Sequence, residues 1–441
     1  MFRNKKLTGS RYLLAIATSA LVILCALGLF NGVVDPFGRF GWVQITGFNQ
    51  LKPGFDRNPL LSKAFHSASQ HPDSVVIGTS RANQGYDPRN EPWQAVAERP
   101  YNLGTPAADI YRIKRYFQHI HARSDVRQLI LALDFRSFNA YSQSFANNQA
   151  IDTGEDYLSV DASGNFKPSY LVSQVMPSLF SKDALLGSFY TLNHQSVTLD
   201  QTYFPNGFKY RNPKTFTPRR RFLNGAGRSV EVYLARPNPR QAFNYSFFDE
   251  TTGYSTLEDY RQILRIAYEN DIDVRIVINP SHAYLLEVIH AVDLWKTFED
   301  WKRSLVAINV EEAEAARATP FPVWDFCTYH PLTTQSIPEK RQQWDHTPQL
   351  FWEITHFKPT LGDRVLQTIF SDAPQDSESQ ESESQDFGAS LTPDSIEKHL
   401  QTVRDRRTAY VSSHRAEASQ VKRRSVRALE KLRDSERVRA Q

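Results

Sequence analysis

Residues 74–81 read Ser-Val-Val-Ile-Gly-Thr-Ser-Arg, an apolar run that ends in a glycine, two hydroxyl residues and an arginine. A short continuous run of this kind, bounded by turn residues, is typical of a strand that is buried on both faces. Similar runs occupy 128–134 (QLILALD) and 274–280 (VRIVINP), and a weaker one occupies 321–325 (FPVWD). Together they predict the strands of a parallel sheet.

Helical patterns alternate with these runs at 110–121, 256–270 and 295–306. Thr256 is placed to cap the second of them. The apolar face of that helix consists of Leu257, Tyr260, Ile263, Leu264 and Ala267. Alternating strands and helices predict an α/β domain with a covered sheet. Ligands of such sheets bind at the carboxyl ends of the strands, so the residues after each run are candidates for chemistry.

An apolar segment near the N-terminus is long enough to span a membrane. Residues 12–34 are 23 uncharged positions that reach ~34 Å as a helix. Four basic residues precede the segment: Arg3, Lys5, Lys6 and Arg11. By the positive-inside rule, residues 1–11 are cytoplasmic and the rest of the chain is exported. The segment is long for a signal peptide and lacks a cleavage pattern, so we expect an uncleaved single-pass anchor.

Composition excludes several classes of protein. The chain has 441 residues with 40% hydrophobic and 23% charged residues, which excludes a disordered or fibrous chain. A single apolar segment excludes a polytopic transporter or channel. The net charge of +4 is too small to favour binding of nucleic acid by the body of the protein. No metal-ligand spacing, Walker loop or dinucleotide fingerprint is present, so we expect neither a metal nor a cofactor.

Shifts in composition divide the chain. After a stem at 35–70, a folded domain is expected at 71–370, with a long insertion at 136–255. Residues 371–394 hold seven acidic residues and no basic ones, which predicts a disordered linker. Residues 395–441 hold 13 basic and six acidic residues and have helix-forming composition. They form either a solvated, partly helical tail or a basic arm that grips an anionic partner.

Two motifs near the start of the domain carry candidate residues. Ser80 follows the first strand behind a glycine, at the start of a helix, where a nucleophile is exposed beside backbone N–H groups. The alternative role of Ser80 is to cap that helix. In Asn102-Leu-Gly104, the glycine permits close backbone approach and offers its N–H to an oxyanion. The alternative is an ordinary turn glycine.

A third motif lies near the end of the domain. His356 precedes a Lys-Pro turn and a helix start, so it is expected on a loop. The carboxylate of Glu353, three residues earlier, is placed to contact Nδ1 of the His356 ring. The other ring nitrogen is then free to act as a base. A carboxylate and a histidine at this spacing also occur together by chance.

Three further polar features are open to two interpretations each. Asp134 ends the second strand, where it holds a substrate hydroxyl or pairs with Arg81 or Arg136. His282 follows the third strand and either lines the cleft or serves the structure. The basic run at 219–221, inside the insertion, is either a solvated loop or a grip on an anionic glycan.

The order of GTSR at 78–81, NLG at 102–104 and E-x-x-H-F-x-P at 353–359 resembles the SGNH/GDSL hydrolase superfamily. The anchor and the GTSRA motif resemble its membrane-anchored branch in bacterial envelope polysaccharide loci. The resemblance implies a three-layer α/β/α domain with a mostly parallel sheet, of the SGNH or flavodoxin-like type. It implies Ser80 as the nucleophile and His356 as the base.

In the same family an aspartate orients the base, and Glu353 stands at that position here. The candidates for oxyanion or substrate binding are Gly104, Asn102, Asp134, Arg81 and His282. Two departures from the family pattern are Thr79 before the serine and the absence of the third-block asparagine, where the chain has Leu133-Asp134.

The expected function is an O-acyl (acetyl) esterase or transferase that modifies a cell-surface polysaccharide through a Ser-His-Glu triad. The expected location is the bacterial inner membrane, with the catalytic domain in the periplasm. The expected partners are the polysaccharide, the membrane through residues 12–34, and a membrane acyltransferase or polysaccharide synthase; no nucleic-acid partner is expected. The alternative is a catalytically inactive glycan-binding or scaffold protein of an exopolysaccharide assembly complex.

Overall fold

The computed structural model describes residues 9–141, 154–196, 203–212, 214–234, 244–341, 349–370 and 387–440. Its helices are α1 (Gly9–Val34), α2 (Pro59–Gln70), α3 (Ser80–Gly85), α4 (Glu91–Gln94), α5 (Ile110–His121), α6 (Met176–Phe180), α7 (Lys182–Asn193), α8 (Arg219–Tyr233), α9 (Thr256–Glu269), α10 (Ala283–Ala291), α11 (Trp295–Ala316), α12 (Pro359–Phe370), α13 (Ile396–Ser413) and α14 (Arg415–Ala440). Its strands are β1 (Ser74–Gly78), β2 (Pro100–Asn102), β3 (Gln128–Leu133), β4 (Phe248–Asp249), β5 (Tyr254–Ser255), β6 (Asp273–Ile278), β7 (Val323–Asp325) and β8 (Ala389–Ser390).

Six strands form one sheet in the order β2-β1-β3-β6-β7-β8. The first five run parallel, and β8 pairs antiparallel with β7 at the edge. When the five parallel strands are numbered along the chain, leaving out the small β4–β5 pair, their order in the sheet is 2-1-3-4-5. This is a doubly wound order, and its direction changes between β1 and β3. The prediction of an α/β fold with a mostly parallel sheet is confirmed.

Polar and apolar residues do not alternate along the strands, because helices cover both faces of the sheet. All of β1 and all of β3 after its first residue are buried. In one group of helices, α5 packs on α9 and α9 packs on α11. In another, α3 packs on α12, while α8, α10 and α14 pack on one another. A strand between two such layers needs apolar side chains on both faces.

The predicted helices agree with the structure except at two places. α11 continues past the predicted end at Val306. The cap of α9 is Ser255, whose hydroxyl accepts the N–H of Glu258. The predicted cap, Thr256, is buried and donates its hydroxyl to two backbone carbonyls instead.

Helix α1 covers the predicted membrane segment and is long and apolar enough to cross a membrane. Its side chains are exposed along most of its length, and its C-terminal end packs on other described parts of the protein. Residues 1–8, which carry three of the four basic residues behind the predicted orientation, lie outside the described residues.

The C-terminal residues belong to the domain, which corrects the predicted boundary at 370. Strand β8 lies within the predicted linker, of which 371–386 fall outside the described residues. Helices α13 and α14 form where the composition indicates helix, but they are not a solvated tail. Val403, Tyr410 and Val421 are buried, and α14 packs against α8 and α10.

The predicted insertion at 136–255 supplies helices α6, α7 and α8 and the β4–β5 pair. Four parts of it lie outside the described residues: 142–153, 197–202, 213 and 235–243. The basic run at 219–221 is the first turn of α8 and not a loop.

Candidate active site

Polar residues meet where the parallel strands end, beside the change of direction between β1 and β3. Asp134, after β3, accepts hydrogen bonds from Thr79 Oγ1 at 2.6 Å and from Asn279 Nδ2 at 3.2 Å. It also forms a buried ion pair with Arg81. Arg81 in turn donates to the hydroxyl of Ser281 at 2.7 Å. This network fixes the turn from β1 into α3.

Ser80 is the first residue of α3. The cap of this helix is Thr79, whose hydroxyl accepts the N–H of Arg81 at 3.1 Å, so the capping role considered for Ser80 belongs to its neighbour. The Ser80 side chain is therefore left for another partner. Its Oγ lies 2.7 Å from Nε2 of His356.

A short loop holds His356 and Glu353 in one orientation. Phe351 pairs antiparallel with Phe357, and the N–H of Trp352 donates to the carbonyl of His356 at 2.8 Å. Glu353 Oε1 accepts the backbone N–H of His356 at 2.8 Å and contacts its Nδ1. The backbone contact fixes the carboxylate, and the carboxylate fixes the ring.

Thr355 completes this loop, although no local pattern in the sequence indicates it. Its Oγ1 donates to Glu353 Oε1 at 2.5 Å and lies 3.0 Å from His356 Nδ1. Burial raises the pKa of Glu353, but the adjacent His356 and the hydrogen bonds outweigh burial and lower that pKa to about 2. Glu353 is therefore ionised at neutral pH.

Two glycines allow the loop to reach Ser80 across a long separation in sequence. A Cβ on Gly85, at the end of α3, would lie 2.0 Å from the ring of Phe357, the residue after His356. A Cβ on Gly362, in α12, would lie 1.8 Å from the carbonyl oxygen of Gly85. Any larger residue would separate α3 from the loop.

Asn102 and Gly104 pack the second motif against α3. The N–H of Gly104 donates to Asn102 Oδ1 at 2.9 Å, and this contact corrects the prediction that Gly104 offers its N–H to an oxyanion. Asn102 is buried and donates to the carbonyls of Ala82 and Tyr86. A Cβ on Gly104 would lie 2.5 Å from the backbone nitrogen of Asn83, so close packing requires the glycine.

Lys63 of α2 ties the first two motifs together. Its buried Nζ donates to Asn83 Oδ1 at 2.8 Å, to the carbonyl of Asn102 at 2.9 Å and to the carbonyl of Gly104 at 2.5 Å. Burial lowers the pKa of Lys63 well below its ordinary value. A lysine in an amphipathic helix is usually exposed, so its sequence position does not indicate this role.

The remaining candidates differ in where they lie. Arg81 and Asp134 line the cleft but are paired with each other, as one of the alternatives for Asp134 predicted. His282 is not among the described residues that line it. Its Nε2 lies 2.9 Å from the carbonyl of Gln335, its Nδ1 accepts the N–H of Tyr284, and burial lowers its pKa to about 4. The predicted site role of His282 is therefore corrected to capping of α10.

A cavity of about 650 Å³ opens over Ser80 and His356, with α8 along one wall. Four more arginines among the described residues line it: Arg136, Arg211, Arg221 and Arg228. Arg221 belongs to the basic run that the sequence offered as a grip on an anionic glycan, whereas Arg211 and Arg228 were not predicted. Among the described residues, no group of three or more histidines, cysteines or carboxylates is arranged to hold a metal ion.

No family model, curated protein or solved structure matches the chain. The chemistry of the site therefore rests on its own geometry. The serine contacts the histidine, and the histidine contacts the carboxylate. This arrangement activates a hydroxyl as a nucleophile.

Two residues that line the cleft, Ser80 and Ala107, have a backbone N–H group without an acceptor in the described parts of the chain. Ala107 has a φ of 53°, in the left-handed region that residues other than glycine seldom adopt. Such outliers cost about 1–3 kcal/mol and cluster at functional sites.

Proposed function

We propose that this protein is a membrane-anchored, SGNH-like serine O-acyl esterase or transferase that acts on a cell-surface polysaccharide. The observation that carries the proposal is the line of contacts from Ser80 Oγ to His356 Nε2 at 2.7 Å and from His356 Nδ1 to Glu353. The order of the three motifs along the chain and the doubly wound parallel sheet support the SGNH-like assignment.

In the proposed reaction, His356 Nε2 takes the proton of Ser80 Oγ as the oxygen attacks the ester carbonyl. The ionised Glu353 stabilises the imidazolium that forms and holds its Nδ1–H. His356 then gives the proton to the leaving alcohol, and an acyl group remains on Ser80. Water or a sugar hydroxyl, deprotonated by His356, attacks the acyl group, and Ser80 recovers its proton.

The negative charge on the tetrahedral intermediate requires hydrogen-bond donors. The N–H groups of Ser80 and Ala107 are the proposed donors, because both residues line the cleft and both N–H groups lack other acceptors within the described residues. Ser80 also begins α3, where the helix dipole favours negative charge. These two N–H groups would donate to the oxyanion in place of Gly104, whose N–H is already used, and in place of the absent third-block asparagine.

A fluorophosphonate probe tests the nucleophile directly. The wild-type protein should be labelled at Ser80, and Ser80→Ala should abolish labelling, because a fluorophosphonate reacts with an activated serine. Ser163→Ala, at an exposed serine, is the matched control and should be labelled like the wild type. Absence of labelling, with glycan binding unchanged in Ser80→Ala, would replace this proposal by the glycan-binding or scaffold function.

The proposed location is the inner membrane, with α1 as a single-pass anchor and the domain on the periplasmic side. The length and apolar composition of α1 support the anchor, and the basic residues before it support the orientation. In a Cys25→Ser background, Gln401→Cys should react with a membrane-impermeant maleimide in cells whose outer membrane alone is permeabilised. Reaction only after the inner membrane is lysed would place the domain in the cytoplasm.

A further inference from the structure

The cleft over Ser80 has an excess of positive charge that the proposed reaction does not use. Among the described residues, five arginines and two carboxylates line it. The carboxylates are already engaged, Asp134 with Arg81 and Glu353 with His356. Within the described part of the chain, the other four arginines form no ion pair: Arg136, Arg211, Arg221 and Arg228.

These arginines are held in place by the fold. Helix α8 presents Arg221 and Arg228 to the cleft at a spacing of two turns, with Gly225 between them. Arg211 stacks on the ring of Trp352, with 4.5 Å between its guanidinium and the ring centroid. Arg136 follows β3, and its Nε is buried without a hydrogen-bond partner in the described parts of the chain. Stacked and buried guanidinium groups lose little freedom when they bind an anion.

Burial and, for Arg211, a neighbouring cation disfavour the charged form of two of these arginines. Burial lowers the pKa of Arg211, and the charge of Arg221 lowers it further, whereas Glu353 raises it. Burial likewise lowers the pKa of Arg136. Nearby carboxylates, Asp109 and Asp134 for Arg136 and Glu353 for Arg211, offset only part of this cost, and a bound anion would relieve the rest.

We propose that the substrate of this site carries an anionic oxygen group, a carboxylate or a phosphate, next to the ester that Ser80 attacks. The inference rests on the proposed function and narrows its substrate to esters that carry an anion on the glycan or on the acyl group. Guanidinium groups bind carboxylate and phosphate oxygens through paired hydrogen bonds, which an ammonium group does not reproduce. An uncharged ester substrate would leave these arginines without an anionic partner.

Binding of non-acylated oligosaccharides to the full-length protein tests the inference without catalysis. An oligogalacturonate should bind at least roughly tenfold more tightly than a neutral xylo-oligosaccharide, and added salt should weaken the binding. Arg221→Gln and Arg211→Gln should each reduce that preference about tenfold. Arg127→Gln, an exposed arginine before β3, is the matched control and should preserve it.

Turnover shows where the anion lies. If the anion belongs to the glycan, acetylated oligogalacturonate should be the better substrate; if it belongs to the acyl group, p-nitrophenyl hemisuccinate should exceed p-nitrophenyl acetate. Ser80 labelling with no preference for either anion, and no effect of the arginine variants, would overturn this inference and leave the proposed function intact. Anion binding without Ser80 labelling would support the anionic site and contradict the esterase proposal.

A second observation concerns helices α6 and α7, which pack on the C-terminal end of α1. A Cβ on Gly28 would lie 2.6 Å from the ring of Phe180, so α6 approaches the α1 backbone closely. Buried Asn31 donates to the carbonyl of Leu179 at 2.7 Å and accepts the hydroxyl of Ser188 at 2.8 Å. These contacts fix both helices to α1.

The same helices expose large apolar side chains. Six apolar side chains in or next to these helices are at least one third exposed: Val172, Met176, Phe180, Leu186, Phe189 and Tyr190. Gly28 lies six residues before the end of α1, or ~9 Å along its axis. We infer that α6 and α7 lie in the lipid interface beside α1, because their exposed apolar surface continues that of the anchor.

Depth-dependent fluorescence quenching tests this contact. In a Cys25→Ser background, where the remaining Cys327 is buried, bimane on Leu186→Cys should be quenched by nitroxide lipids in vesicles. Leu21→Cys, on α1, is the positive control, and Gln401→Cys, on α13, is the control expected to stay unquenched. Quenching at position 21 without quenching at position 186 would overturn the inference, and so would quenching at neither.

Discussion

Besides the imidazole of His356, three hydrogen-bond donors fix the carboxylate of Glu353, which makes this residue a sharp test of the proposed triad. Glu353→Gln keeps the shape of the side chain but removes the charge that stabilises an imidazolium. Loss of the orienting carboxylate reduces turnover about 10⁴-fold in a serine protease, and we expect a large but smaller loss here. Ester turnover and thermal unfolding measure it; wild-type turnover with an intact fold would reject the role of Glu353.

Ser80 and His356 should behave as one unit. Ser80→Ala and His356→Ala are each expected to reduce ester turnover as much as the double variant, because neither group activates the reaction without the other. Their unfolding transitions should change little, since both side chains lie at the cleft surface. Additive losses in the single and double variants would contradict a joint role.

Asp134 and Arg81 form a buried pair, so their contribution is to stability. Asp134→Ala leaves a buried guanidinium without its counterion, and we expect about 3–5 kcal/mol less free energy of unfolding. The double variant with Arg81→Met should recover part of that loss. Asp125→Ala, which breaks the exposed pair with Arg127, is the control and should have little effect. Equal effects at the two pairs would contradict this assignment.

Sequence reasoning found the residues whose chemistry is local. Ser80 after a buried strand and Glu353 three residues before His356 follow from spacing alone. The pairing of Asp134 remained one of several alternatives, and the site role of His282 was wrong. Their partners come from distant parts of the chain, and no local pattern encodes a partner. For the same reason Arg211, Arg228 and Lys63 were not predicted.

At the scale of elements, α14 braces the helix that forms one wall of the cleft. Arg424 of α14 donates to Asn224 of α8 at 2.8 Å, and Arg219 of α8 lies 3.4 Å from Glu417 of α14. Asn224 also lines the cleft, beside Arg221 and Arg228, so this contact lies at the edge of the face that carries the cleft arginines. The C-terminal helix therefore positions the cleft wall without entering the cleft.

Val421 of α14 is fully buried and tests this brace. Val421→Ala should lower the free energy of unfolding by about 1.5 kcal/mol or more, since each buried methylene-sized group contributes ~0.8 kcal/mol before any cavity forms. Val96→Ala, at a valine that is 51% exposed, is the matched control. Chemical denaturation measures both, and equal effects would contradict burial of α14.

Periodicity predicts elements whose burial is strong. The strands β1, β3 and β6 and the helices α5 and α9 have continuous or regularly spaced apolar residues, and the structure contains all of them. Helices α13 and α14 have few apolar residues among many charges, which resembles a solvated tail. Their burial depends on α8 and α10, so the sequence of the tail alone does not reveal it.

At the scale of the molecule, segments from both ends of the chain meet around the sheet. Helix α2 contributes Lys63 to the loops beside Ser80, and β8 closes the sheet at the edge opposite β2. The α/β class follows from the order of apolar runs. The position of β8 at the edge of the sheet does not follow from the sequence, because a two-residue strand carries no periodic signal.

The stability of the whole molecule should decrease on mild acidification. Burial lowers the pKa of His66, His119 and His282 to about 4 each, from about 6.5 in the unfolded chain. Between those values the unfolded state binds more protons, so the free energy of unfolding falls as the pH falls. Urea unfolding from pH 7 to 4.5 measures this loss, above the range in which Glu353 loses its charge. His66→Gln should flatten the pH dependence, whereas His71→Gln, at an exposed position, should preserve it. A constant free energy of unfolding over this range would show that these three histidines are not neutral and buried.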